Sequence, residues 1–112
     1  MVSRPLTDEE MVHFGLEWVE ITAALAEIHD TLHNLQESVA TEQRRLNRYE
    51  HQDVIPFNLV DQTKERMQEL FDRLYLWEKY HERAQRYSNA IDTMHETGQH
   101  CDTSFWTGYT LQ

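Results

Sequence analysis

The chain has 112 residues, one ordinary domain or less, which excludes two independently folded catalytic domains. Hydrophobic residues make up 39% and charged residues 27%, while three glycines and two prolines are too few for a turn-rich β-sandwich or a disordered linker protein. Twenty acids against ten bases leave a formal charge of -10, which disfavours direct binding to nucleic acid or anionic lipid and favours basic partners.

In chain order, residues 1–7 read as an N-terminal lead. Thr7-Asp8-Glu9-Glu10 has the form of a capping box, with the Thr7 hydroxyl placed for the Glu10 amide and the Glu10 carboxylate for the Thr7 amide. From there Met11, Phe14, Trp18, Ile21, Leu25, Ile28, Leu32, Leu35, Val39, Leu46 and Tyr49 recur at alternating steps of three and four, interrupted only by Glu42. A period of 3.5 keeps one stripe turned to a partner helix, so a first helix is expected over about residues 8–52. Asp53-Val54-Ile55-Pro56-Phe57-Asn58 breaks the pattern, because Pro56 lacks an amide proton and disfavours helical geometry at Ile55. This predicts a turn over 53–58, with Asn58 capping the next helix and Asp61 in its first turn.

A second heptad series follows on Val60, Thr63, Met67, Leu70, Leu74, Trp77, His81, Ala84, Ser88, Ile91 and His95, flanked by Phe71, Tyr80, Tyr87 and Met94. It predicts a second helix over about 59–97, stopped by Gly98. Two long helices and a short connection make an antiparallel helical hairpin domain over 8–98, an all-α fold. Residues 99–112 change to threonines and aromatics without helical period, an aromatic C-terminal tail whose Phe105, Trp106, Tyr109 and Leu111 are too apolar for a solvated terminus.

The positions flanking the first seam, among them Gly15, Thr22, Ala24, Thr31 and Ser38, are small or uncharged, and Val12, Leu16, Val19, Ala23 and Ala26 form a second apolar stripe opposite the seam. One neighbouring helix does not cover both, so a homodimer closing into an elongated four-helix bundle of coiled-coil type is expected. An antiparallel register brings the end of helix 2 beside the start of helix 1, which predicts that the tail packs on Val12, Leu16 and Val19, in its own chain or swapped.

No catalytic signature is present: there is no glycine-rich phosphate loop, serine elbow or zinc-knuckle spacing, and Cys101 sits in a tail without an oxyanion site. One cysteine closes no internal disulfide, and neither a signal region nor a bilayer-long apolar run is found, so a cytoplasmic protein without membrane association is expected.

The chemistry-bearing residues fall into four groups. The tail aromatics Phe105, Trp106 and Tyr109 are candidate anchors for a partner, since large aromatics dominate interface energies. Glu17, Glu20 and Glu27 lie in a stretch, residues 1–43, whose only Lys or Arg is Arg4, and offer carboxylates to a basic surface. Arg44, Arg45 and Arg48 make the region before the turn basic. His29, Glu78 and His81 could converge on one ion. Glu78-Lys79-Tyr80-His81 resembles the Glu-x-x-His element of ferritin-like di-metal bundles, a resemblance that implies iron or manganese and oxidation chemistry; those bundles also carry lone inward glutamates on the other two helices, whereas Glu42 is the only acid on the first seam.

Together these features predict a non-enzymatic interaction protein without a cofactor: an acidic adaptor, assembly factor or small inhibitor that binds itself and a larger basic protein. The alternatives are a metal-binding bundle on His29, Glu78 and His81, and a nucleic-acid mimic that blocks a nucleic-acid-binding protein.

Overall fold

A computed structural model of the chain describes residues 4–106. The fold is an all-α helical hairpin of two helices, α1 (Asp8–Glu50) and α2 (Phe57–Thr97), divided between two compact units. One unit is formed by Met1–His29 and Lys79–Gln112, of which 4–29 and 79–106 are described; the other is Asp30–Glu78. No helix among the described residues is long and apolar enough to cross a membrane.

The capping box forms as its residue types require. The Glu10 amide donates to Thr7 Oγ1 at 3.2 Å and the Thr7 amide donates to Glu10 Oε1 at 3.1 Å. Asp8, Glu9 and Glu10 occupy the first turn, where the helix dipole favours carboxylates. At its other end α1 stops at Glu50, short of the expected 52: the His51 amide makes the last bond of the ladder, to the Asn47 carbonyl at 3.2 Å, and the Gln52 amide turns instead to the Tyr49 carbonyl at 3.4 Å. The turn therefore occupies 51–56.

Two expectations for the start of α2 are corrected. The helix begins at Phe57, with the Pro56 carbonyl accepting from the amides of Leu59 (2.9 Å) and Val60 (3.0 Å). Pro56 thus takes the cap position, which needs a carbonyl and no N–H, and Asn58 lies within the first turn. That first turn contains no acid, so Asp61 does not serve there.

In the Asp30–Glu78 unit the buried positions keep the expected phase. Leu46, Val60 and Met67 form a cluster with Tyr49 packed against it, and Leu32, Leu35, Val39, Leu70, Leu74 and Trp77 are half-buried. Glu42 is buried at 8% exposure, accepting from Arg45 Nη1 at 3.0 Å and Arg66 Nε at 3.2 Å. Arg66 also donates to Thr63 Oγ1 (3.1 Å), whose hydroxyl bonds the Leu59 carbonyl (2.8 Å). The single polar interruption of the first seam is thereby satisfied by two guanidinium groups at the solvent edge.

In the other unit the α1 seam is buried at Phe14, Ile21 and Ile28 and half-buried at Leu25, while Met11 (38%) and Trp18 (41%) lie at its rim. The Trp18 indole N–H donates to Asp92 Oδ1 at 2.9 Å, with the end of α2 beside the start of α1 as the antiparallel register requires. On α2 the buried set is broader than one heptad stripe. Ala84, Ser88 and Ile91 are buried as expected, but so are Tyr80, Tyr87 and Met94, whereas His81 is half-buried and His95 exposed.

That breadth has a visible cause in the tail. Gly98 adopts φ 69°, the left-handed geometry that closes a helix, and its amide bonds the Met94 carbonyl at 2.8 Å. The chain then turns back along the lead. Leu6 N–H donates to the Gly98 carbonyl (2.9 Å) and His100 N–H to the Arg4 carbonyl (2.7 Å), flanking an antiparallel Pro5–Gln99 bridge. Proline fits there because that pair lies between the two hydrogen bonds and needs no donor. Beyond it, Trp106 stacks on Tyr87 with centroids 4.9 Å apart and planes at 9°, and lies 6.0 Å from the Tyr80 ring. Arg86 covers Phe105, its guanidinium carbon 3.9 Å from the ring centroid.

Candidate functional site

Residues 99–106 of the tail thus dock in their own chain, but not where the register placed them. Val12, Leu16 and Val19 remain 65%, 65% and 61% exposed, and Ala23 and Ala26 are exposed beside them. The tail instead seeks the flat faces of Tyr80 and Tyr87, which offer ring-on-ring contact that the aliphatic stripe lacks. Phe105 and Trp106 are half-buried by this docking; Tyr109 and Leu111 lie outside the described residues.

Bare apolar stripes at helical spacing are the simplest docking surfaces a helix offers. This one has an asymmetric border. At about 100° per residue, Glu9, Glu20 and Glu27 fall along one edge, and Gly15 and Thr22 along the other. Past the carboxylate edge lies an open cleft of about 390 Å³, lined by His13, Phe14, Glu17, Glu20, Tyr87, Thr103 and Trp106. Of the predicted acids, Glu17 is half-buried with Oε1 3.9 Å from His13 Nε2, and Glu20 and Glu27 are exposed.

A clasp beside the cleft joins Arg4 of the lead, Glu10 of α1 and His100 of the tail. Arg4 makes a bidentate pair with Glu10, at 2.6 and 2.7 Å, and His100 Nε2 is 3.8 Å from the same carboxylate. The His100 ring also meets Phe14 edge-on at 6.1 Å. Bonding to Arg4, then to the Thr7 amide, lowers the Glu10 pKa from its ordinary 4.5 to about 2. A depressed carboxylate stabilises the fold above its unfolded pKa and loses that effect as pH falls through its folded one. The stability difference between the native chain and Glu10→Gln is therefore expected to hold above pH 4.5 and to vanish toward pH 2, measured by urea unfolding across that window. A difference that stays constant through it would disprove the clasp.

The remaining predicted residues are placed as follows. Arg44, Arg45 and Arg48 are exposed and, with Thr41 and Asn47, line a shallow hollow of about 570 Å³ on α1. Arg45 is held by Glu42, and Arg44 donates to Thr41 Oγ1 at 3.2 Å. His29 and Glu78 are exposed and His81 half-buried; among the described residues no group of three or more His, Cys, Asp or Glu side chains is gathered for a metal. Cys101 is half-buried with a free thiol.

Residue patterns missed the pairing of lead and tail, the Trp106–Tyr87 stack and the cleft beside it. Their only sequence signal was the surplus of tail aromatics. No family model, curated protein or solved structure matches this chain.

Proposed function

We propose that the chain is a non-enzymatic protein–protein interaction module, an acidic helical adaptor, assembly factor or small inhibitor that docks on a larger basic protein. The observation that supports this reading is the stripe Val12, Leu16 and Val19, which is exposed while residues 99–106 of the tail pack elsewhere. Side chains at such spacing are the anchors by which one helix lies on another. The border supports the choice of occupant. Asp8, Glu9, Glu10, Glu17, Glu20 and Glu27 charge this part of α1, and it holds no Lys or Arg. Two copies packed antiparallel through the stripe would set the Glu9, Glu20 and Glu27 edge against its own equivalent, whereas a basic amphipathic helix meets it with opposite charge.

Calorimetric titration with a synthetic helix, leucine and alanine on one face and lysine and arginine on its flanks, is expected to show saturable binding. Binding should weaken as salt rises past about 0.1 M, where the screening length is about 10 Å. Leu16→Glu should weaken it at least about tenfold, since a buried leucine is worth about 1.5 to 3 kcal/mol. Helicity should be unchanged, because Leu16 is exposed. Sedimentation of the free chain tests the rival occupant: a stable dimer that Leu16→Glu dissociates would give the stripe to a second copy instead.

A further inference from the structure

We infer that the cleft between α1 and the docked tail is a receptor for one arginine side chain of the basic partner, an inference that rests on the docking reading above and adds the contact that selects the partner. The cleft combines the two surfaces a guanidinium uses. Glu17 and Glu20, three positions apart on α1, share one wall and bring two carboxylates, and the half-buried Trp106 brings an aromatic ring. A guanidinium is planar and weakly hydrated, so it stacks on rings and donates in a fork to carboxylates at once, which the compact and strongly hydrated lysine ammonium does less well. The chain makes both contacts for itself within the same unit: Arg86 lies 3.9 Å over Phe105, and Arg4 forks onto Glu10 at 2.6 and 2.7 Å.

Charge and position agree with this occupant. His13 is the only basic residue among those lining the cleft, and its Nε2 lies 3.9 Å from Glu17. Glu20 belongs both to the cleft and to the carboxylate edge of the Val12–Leu16–Val19 stripe. A helix lying on that stripe therefore presents its flanking side chains directly over the cleft mouth. Tyr87, buried at 4% exposure, holds one face of the Trp106 ring in the 4.9 Å stack, so that ring is positioned by the fold before any ligand arrives.

The probe is acetyl-arginine-rich pentapeptide titrated into the full isotope-labelled chain, followed by nuclear magnetic resonance, with the lysine pentapeptide as comparison. Saturable shifts are expected at the Trp106 indole N–H and at the amides of His13, Glu17, Glu20 and Thr103, with the lysine peptide several-fold weaker. Glu17→Gln and Glu20→Gln should each weaken arginine binding about tenfold, the loss of one charge-assisted hydrogen bond. Asp61→Asn and Asp72→Asn, equal charge changes in the other unit, should leave it unchanged. Equal losses from all four variants, or shifts spread over the acidic surface, would overturn the proposal in favour of diffuse attraction. Equal affinity for lysine would overturn the arginine assignment. The pentapeptide carries no apolar face, so its binding does not depend on the stripe: Leu16→Glu should lose the amphipathic helix and keep the pentapeptide, and failure of the docking reading and failure of the cleft are thereby told apart.

Discussion

Ile91→Ala is expected to destabilise the protein by about 2 to 5 kcal/mol, the range for truncating a fully buried aliphatic side chain. Ile91 has 0% exposure and shares its unit with Ile21 at 1%, Ile28 at 2% and Met94 at 0%. That core is a single layer between two helices, and domains of this size have only about 5 to 15 kcal/mol of net stability. The substitution should thus leave a marginal protein, read as a lower urea midpoint with unchanged slope. Leu76→Ala, at a position 50% exposed, should change stability by no more than about 0.5 kcal/mol. Equal effects from the two would refute the assignment of the core.

Among single substitutions Trp106→Ala should be the second most damaging, at about 2 to 3 kcal/mol, somewhat below a fully buried tryptophan. It removes the stack on Tyr87 and the contact with Tyr80, and leaves two large rings of α2 facing water. Truncation after Gly98 should cost more. It also removes Phe105 from beneath Arg86 and the His100 amide from the Arg4 carbonyl. Hydrogen exchange is the informative readout, because amides over the last turns of α2 should lose protection first. A truncated chain that melts with the full-length one would show that the docked tail contributes nothing to stability. The tail aromatics were candidate partner anchors; Phe105 and Trp106 are engaged within their own chain, and of the two Trp106 lines the cleft.

Much of the hairpin was legible because heptad spacing, capping boxes and helix-stopping residues act over a few positions. Thr7 and Glu10 find each other across one turn, and Gly98 closes α2 because only a residue without Cβ takes φ 69° at little cost. The N-terminus of α2 was misread for an equally local reason. Asn58 is the better cap by residue type, but Pro56 already supplies the carbonyl and the fixed φ, so the helix starts around it.

The candidate site was half legible. The stripe of Val12, Leu16 and Val19 and the acids beside it could be read from spacing alone. Where the tail would settle could not. That outcome depended on Tyr80 and Tyr87, far from Trp106 in sequence, presenting ring faces that win over aliphatic side chains, and aperiodic segments carry no spacing from which to infer a partner. The amino-acid order by itself determined two amphipathic helices, their joint and the acidity of α1, because each follows from neighbours within a turn or two. Only the tertiary structure decided which apolar surface Phe105 and Trp106 would cover, because that choice is a competition between distant surfaces for one short segment.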